Sequence, residues 1–245
     1  PVGEQLAQVI RLCKESEQPY YIIGNGSNLL VGDKGIRGLV IEMAKGQDGL
    51  RVEGTQIVAG AGTLLSRAAN LAAEHGLTGM EFAAGIPGSI GGAVVMNAGA
   101  YGGEMKDIIE NVTVLDSKGE SKTLSLDELE LGYRRSCILE KGYIVTEARL
   151  NLTIGDKESI QARMKELREM RTTKQPLEYP SAGSTFKRPE GYFVGKMMDD
   201  LGLKGLRVGG IEVSRKHGGF MVNVDNGTCA DLLTLISTVK EKVYE

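Results

Sequence analysis

Apolar residues recur along this chain in two rhythms, one helical and one alternating, and glycine-rich stretches interrupt both. Leu6, Val9, Ile10 and Cys13 fall at helical spacing and predict an amphipathic helix over residues 4–15. Tyr20–Ile23 is a short β-type run that ends directly in Gly24-Asn25-Gly26-Ser27-Asn28. Residues 39–41 and 57–59 read as further strands. Leu64, Ala68, Leu71 and Ala72 predict a second helix, stopped by Gly76. Ala93-Val94-Val95-Met96 is a short buried helix or strand. Residues 111–115, 122–124 and 143–152 predict strands of a mixed sheet, with a turn at Ser117-Lys118-Gly119 between the first two.

Residues 157–173 are strongly charged and helical in pattern, as suits a surface helix. They lead into Lys174-Gln175-Pro176-Leu177-Glu178-Tyr179-Pro180, where two prolines interrupt regular structure and set a domain boundary near Lys174. Beyond it the pattern predicts a strand at 185–186, a helix at 193–201 and a strand at 220–224. A final helix keeps Leu232, Ile236, Val239 and Val243 on one face. The expected fold class is α+β without internal repeats. Region 1–173 is expected to hold two α+β subdomains, approximately 1–43 and 44–173, and 174–245 to form a smaller α+β domain.

Composition narrows the function classes. A hydrophobic share of 41% with 25% charged residues is ordinary for a soluble globular chain of 245 residues. A net charge of −3 offers no basic surface for nucleic acid. No apolar run approaches the roughly 20 residues of a membrane helix, and no signal peptide opens the sequence, so a cytoplasmic location is expected. Cys13, Cys137 and Cys229 lack metal-like spacing, and their odd number argues against a disulfide framework. No metal site and no obligate protein partner are expected. Glycine is the exception: 34 residues, about twice the usual share, gathered in loops. Loop glycines admit positive φ and let a ligand approach the backbone closely.

Gly24-Asn25-Gly26-Ser27-Asn28 follows a strand, where backbone N–H groups can meet phosphate oxygens. It is neither the dinucleotide fingerprint, lacking a third glycine that opens a helix, nor a P-loop, lacking Gly-Lys-Ser/Thr. Alone it is equally well a tight turn. A second cluster, Gly85-Ile86-Pro87-Gly88-Ser89-Ile90-Gly91-Gly92, and a third, Asn97-Ala98-Gly99-Ala100-Tyr101-Gly102-Gly103, raise the expectation of a large diphosphate cofactor. Ser184, within Ser181-Ala182-Gly183-Ser184-Thr185-Phe186-Lys187-Arg188, then presents a hydroxyl, although a serine beside glycine is commonly only a turn residue.

These motifs, in this order and with Tyr133-Arg134-Arg135-Ser136 between them, resemble the UDP-N-acetylenolpyruvoylglucosamine reductase family of peptidoglycan synthesis along essentially the whole chain. The short connection between Arg171 and Gly183 resembles the variant that lacks a tyrosine-bearing insertion. The resemblance implies a flavoprotein whose first lobe is of the vanillyl-alcohol-oxidase (PCMH-type) superfamily and whose region 174–245 binds the UDP-sugar substrate. It implies non-covalent FAD with NADPH as hydride donor, and cofactor contacts from Gly24, Asn25, Gly26, Ser27, Asn28, Leu29, Gly85, Ile86, Pro87, Gly88, Ser89, Gly91, Gly92, Asn97 and Ala98. Ser184 matches the family's proton-donating serine and Arg134 its carboxylate-binding arginine. Lys204, Arg188 and His217 match substrate contacts, with Lys204 suited to a diphosphate as a point charge.

On spacing alone Arg134 is as well a surface ion pair, and His217 as well a structural loop histidine. His75, at a helix end, suits interaction with the macrodipole. The family's catalytic glutamate belongs to a Leu-Glu-Pro-Glu-Val-Arg-like segment following the last helix, so neither Glu241 nor Glu245 is nominated. The family's opening cofactor-contacting segment has no counterpart among these residues, so none is nominated for it. Two other readings stay open on the residues: an FAD oxidase or dehydrogenase of the same superfamily, and a nucleotide-sugar-binding module without activity.

Overall fold

The computed structural model describes residues 2–43 and 49–244, which divide into two compact units. The first comprises residues 1–27 and 37–168; the second comprises 28–36 and 169–245. The second unit therefore includes a short excursion of the N-terminal chain, beginning inside the first glycine cluster. The expected subdomain boundary at 43–44 runs into residues 44–48, outside the described residues.

Unit one contains α1 (Val2–Glu15), β1 (Tyr20–Ile23), β2 (Leu39–Glu42), β3 (Leu50–Glu53), β4 (Gln56–Gly60), α2 (Leu65–Glu74) and β5 (Leu77–Thr78). There follow α3 (Ile90–Val95), β6 (Gly99–Ala100), β7 (Gly103–Glu104), β8 (Ile109–Leu115), β9 (Ser121–Ser125), α4 (Cys137–Glu140), β10 (Ile144–Asn151) and β11 (Thr153–Ile154). Strands β3-β4-β10-β8-β9 form an antiparallel sheet, and β1 pairs in parallel with β2 in a separate two-stranded sheet. Ile57, Val58 and Ala59 of β4 are all inaccessible to solvent, as a strand covered on both faces requires. On α1 the apolar stripe buries Leu6, Ile10 and Cys13 while Leu12 faces out. Leu6 and Ile10 join the same hydrophobic cluster as Ile57, Leu65, Val112 and Leu150, so one core spans the chain on both sides of residues 44–48.

The 18-residue helix α5 (Lys157–Lys174) carries the chain into unit two; only Ile160, Met164 and Leu167 are buried along it, matching its charged sequence. Unit two holds β12 (Ser181–Ser184), α6 (Val194–Asp200), β13 (Arg207–Val208), β14 (Ile211–Val213), β15 (Phe220–Asn223) and α7 (Cys229–Tyr244). Its antiparallel sheet has the order β12-β15-β14-β13, and its core joins Val213 and Met221 of the sheet to Leu232, Leu235 and Val239 of α7. The N-terminus of α7 is closed on all sides. Thr228 and Asp231 exchange hydrogen bonds as a capping box, and the Asp33 carboxylate accepts from the Cys229 and Ala230 amides at 2.7 and 3.1 Å. Asp33 thereby fastens the 28–36 excursion to this unit.

The strand expected at 185–186 is displaced: the ladder to β15 is formed by 181–184, because cross-strand pairing and not the β-propensity of Thr185 and Phe186 sets the register. Residues 93–96 resolve as part of a helix, with Met96 as its C-terminal cap. Among the described residues no helix is long and apolar enough to cross a membrane, and no group of His, Cys, Asp and Glu is arranged to hold a metal ion.

Candidate active site

In unit one the first two glycine clusters lie against each other. The Asn25 side chain donates to the Pro87 carbonyl at 3.1 Å, and a Cβ added to Gly24 would fall on the Ser89 hydroxyl. The second cluster is anchored from the opposite side by the chain after β4: Leu65 N–H to Gly88 O at 2.9 Å, Ile90 N–H to Thr63 O at 2.8 Å, and Gly91 N–H to Ala61 O at 2.8 Å. Ser89 is buried and caps α3, accepting from the Gly92 amide, while a Cβ on Gly91 would meet that of Ala61 at 2.9 Å. Ser89 and Gly91, both expected at the cofactor, thus serve helix–strand packing with their side-chain positions.

Other members of the clusters face outward. Asn25, Gly26, Ser27, Gly85, Pro87 and Gly92 are exposed, and Gly24, Ile86 and Gly88 half-buried. In unit two Asn28 and Leu29 are exposed as well, Leu29 to 54%. Among the described residues the amides of 25–29 bond no protein acceptor, and a Cβ at Gly88 would meet only Ser27 Oγ at 3.8 Å. In unit one the free backbone donors of 25–27, beside the open space at Gly26 and Gly88, fit the diphosphate and ring system of FAD.

The third cluster builds a different object. Gly132 and Arg135 exchange backbone hydrogen bonds of 3.0 and 3.2 Å across a tight turn with Tyr133 and Arg134 at its tip. Arg134 has φ +55°, at the turn position where glycine is the usual choice. Its guanidinium donates to the carbonyls of Gly99 at 3.0 Å and Asn97 at 3.4 Å. Two of the five N–H donors are so taken; among the described residues the rest have no protein partner and suit a carboxylate. Asn97 has no exposed surface, and Ala98, next to it, is half-buried.

In unit two a β-bulge presents Ser184. Ser181 pairs with Val222 and Ser184 with Phe220, so three steps on β12 oppose two on β15. The extra residue is absorbed at Gly183, φ +66°, whose amide donates to Ser181 Oγ at 2.8 Å. Ser184 is exposed as a result. Phe220, its cross-strand partner, meets the His217 ring edge-on at 4.9 Å. His217 Nδ1 accepts from the Gly219 amide at 3.1 Å, and burial, with Lys204 nearby, holds the imidazole below its usual pKa. His217 is therefore a neutral acceptor in its turn. Lys204 pairs with Asp199 at 2.7 Å, while Arg188 donates to the Tyr192 carbonyl at 3.0 Å and stacks 3.9 Å from the Phe193 ring centroid.

The structure thus brings the first two glycine clusters together, Asn97 and Ala98 together with Arg134, and Ser184 together with the His217 turn. Sequence reasoning passed over Asp33, whose partners stand almost two hundred positions away and leave no local signal. It also passed over Glu104, which accepts from Asn97 at 2.7 Å and takes part in a capping box with Asp107 that sequence alone could have shown.

Comparison with known proteins identifies related chains. The family profile described as FAD binding domain matches residues 3–125, and that of the UDP-N-acetylenolpyruvoylglucosamine reductase C-terminal domain matches 175–245. The UDP-N-acetylenolpyruvoylglucosamine reductase of Clostridium tetani is 55% identical over 98% of this chain and 78% of its own length. That of Agathobacter rectalis is 54% identical over 100% of this chain and 82% of its own. The crystal structure of the Thermus caldophilus reductase (MurB) superposes with a TM-score of 0.84 at 42% identity, covering 94% of this chain and 84% of that one. With the α+β fold, the glycine-lined cradle and identity above one half along nearly its whole length, the chain belongs to the UDP-N-acetylenolpyruvoylglucosamine reductase family.

Proposed function

We propose that this chain reduces the enolpyruvyl ether of UDP-N-acetylglucosamine enolpyruvate to a lactyl ether, giving UDP-N-acetylmuramate for peptidoglycan synthesis. NADPH is the hydride donor and FAD the non-covalently held cofactor. The observation that carries this reading is membership of the reductase family along nearly the whole chain. In this reading 1–173 is the FAD-binding region and 174–245 the substrate-binding domain.

The unit-one residues 24–27, 85–88 and Gly92 hold the cofactor through backbone donors and close approach. When bound, FAD would supply the redox chemistry, hydride transfer between NADPH and the terminal enol carbon of the sugar. Negative charge then develops on the adjacent carbon and its carboxylate. Arg134 holds that carboxylate through two parallel N–H bonds, which strengthen as the charge grows. Ser184 Oγ–H gives a proton to the adjacent carbon and completes saturation. A serine hydroxyl is a weak acid, so its placement matters more than its pKa, and the bulge at Gly183 supports that placement. Lys204 and Arg188 bind the diphosphate once exchanged from Asp199 and Tyr192. His217, held neutral, supports the Ser184 strand through Phe220 and meets the sugar without acid–base work.

The test is spectroscopic. Purified protein should be yellow, bleach with NADPH under anaerobic conditions and regain its colour on addition of the enolpyruvyl sugar. Colourless protein that takes up no FAD would identify a binding module. Yellow protein reoxidised by oxygen but indifferent to the sugar would identify an oxidase of the same superfamily.

A further inference from the structure

Asn97 is fully buried, and its side chain is saturated by protein. Nδ2 donates to Glu104 Oε2 at 2.7 Å and to the Gly132 carbonyl at 3.1 Å, while Oδ1 accepts from the Lys106 amide at 2.9 Å. Both N–H donors and the carbonyl of the carboxamide are engaged, and no part of it reaches a surface where a cofactor could lie. Its backbone is left-handed, φ +39°, a region in which asparagine is among the few residues at ease. Tyr101, four residues on, and Arg134, whose guanidinium meets the Asn97 carbonyl, also have positive φ, +54° and +55°. Such conformations persist only where their surroundings over-determine them, and they gather at functional sites. What over-determines this one is the Asn97 carboxamide.

The contacts lead to one place. Gly132 is the first residue of the turn that carries Arg134, so Asn97 grips the turn at its base. The Asn97 main-chain carbonyl, with that of Gly99, takes the Arg134 guanidinium at its tip. Glu104 is itself held by Lys106 Nζ at 2.6 Å and donates its own amide to Asp107 at 2.9 Å, which fixes the outer end of the chain of contacts.

We propose that Asn97 is a positioning residue for Arg134, aiming its remaining N–H donors through Gly132 and through its own carbonyl, and is not a cofactor contact. The inference rests on the reading that Arg134 holds the substrate carboxylate. Loss of the Asn97 carboxamide frees the turn and the guanidinium together, so it removes orientation without removing charge.

The experiment compares holoenzymes carrying Asn97→Gly, Glu104→Ala, Arg134→Ala and the Asn97→Gly/Arg134→Ala pair. Glycine enters positive φ without strain, so Asn97→Gly deletes the carboxamide alone. Four quantities are read: FAD affinity, the Kd of the enolpyruvyl sugar for oxidised enzyme by calorimetry, the rate of flavin reduction by NADPH, and the rate of reoxidation by the sugar. Asn97→Gly is expected to weaken sugar binding and slow reoxidation by about 10- to 100-fold, as misplacement of a binding group does. FAD affinity and reduction by NADPH stay as in the parent, and the substitution adds nothing in the Arg134→Ala background. If Arg134→Ala itself leaves sugar binding and reoxidation intact, the reading of Arg134 fails and the inference with it. If Arg134→Ala is impaired but Asn97→Gly is not, or the two losses multiply, the positioning role alone is refuted. Weakened FAD binding with normal sugar binding at saturating FAD refutes it too, in favour of a cofactor contact. Should Asn97→Gly not fold, Glu104→Ala decides, since Glu104 keeps 27% of its side chain exposed and its loss spares the core. A smaller loss of sugar affinity in the same direction supports the proposal, and parental affinity overturns it.

Discussion

Gly183→Ala tests whether the β-bulge delivers Ser184. A Cβ at Gly183 would have nothing within 4 Å, so the substitution introduces no clash. What it introduces is strain, because φ +66° is left-handed and an alanine there loses about 1–2 kcal/mol. Against a typical stability on the order of 5–15 kcal/mol the protein stays folded. The strained segment has one way to relax, which is to expel the extra residue and straighten β12. Straightening moves the register by one, and a one-residue slip turns every following side chain to the other face. Ser184 would then point away from its present side. The same about 1–2 kcal/mol, applied to the balance between bulged and straight strand, shifts it by a factor of roughly 5–30.

The two half-reactions separate this effect from general damage. Reduction of the flavin by NADPH needs no proton from Ser184 and should proceed at the parental rate. Reoxidation by the enolpyruvyl sugar should slow by up to that factor of roughly 5–30 in Gly183→Ala. In Ser184→Ala it should slow by at least about 10²-fold, as for a lost general acid. Rapid-mixing absorbance of the flavin follows both steps in one sample, and a thermal midpoint reports the strain independently. A lowered midpoint with reoxidation at the parental rate would refute the link between bulge and proton delivery. Parental reoxidation in Ser184→Ala would remove Ser184 as donor altogether.

Three further outcomes are expected. Gly24→Ala sets a methyl group on the Ser89 hydroxyl, so it should disturb the cap of α3 and lower FAD affinity together, measured by flavin titration of the apoprotein; parental affinity would show that the two clusters need not touch. Arg134→Lys should slow reoxidation by the sugar severely and leave reduction by NADPH nearly intact, because an ammonium cannot make two parallel bonds to a carboxylate; equal loss in both half-reactions would make Arg134 a structural residue. His217 has a folded-state pKa below its ordinary value, so the unfolded chain binds the proton more readily and stability should fall as pH drops below about 6.5. Asp231, whose pKa is lowered chiefly by the Thr228 amide, contributes stability that is lost only as pH falls from the ordinary carboxylate pKa downward, outside this window. Denaturation midpoints at pH 7.5 and 5.5 should therefore converge in His217→Gln, and an unchanged gap would assign the dependence elsewhere.

Much of the fold is legible because periodicity is a local property. The apolar faces of α1, α2 and α7 and the unbroken run Ile57-Val58-Ala59 each report burial within a single element. Two hairpins were equally local yet went unread. Glu53 pairs with Gln56 around Gly54-Thr55, and Val208 pairs with Ile211 around Gly209-Gly210, both two-residue turns with a positive-φ glycine. Their strands are short and carry charge on one face, so propensity is weak where turn chemistry is strong. The misplaced strand at 185–186 has the opposite cause: Thr-Phe has strong intrinsic preference, but pairing with β15 and the bulge at Gly183 decide the register. Asp33 lay beyond any such reasoning, because a cap supplied by a distant loop leaves no mark beside the helix it closes.

The candidate site shows where motif reading loses resolution. Glycine, serine and asparagine in a loop answer two demands that sequence cannot separate: approach by a ligand, and approach by another part of the chain. The space around each residue separates them. A Cβ on Gly24 or Gly91 collides with protein, Ser89 is spent on a helix cap, and Asn97 is buried with every polar atom satisfied. Gly26 and Gly88 meet almost nothing, and the amides of 25–29 are free among the described residues. The first group makes the loops rigid, and the second is what a diphosphate or a flat ring can touch. Substitutions in the two groups should therefore fail differently: at Asn97 through the aim of Arg134, at Gly24, Ser89 and Gly91 through stability with any loss of FAD affinity following from it, and in the second group through FAD affinity in a protein that still folds.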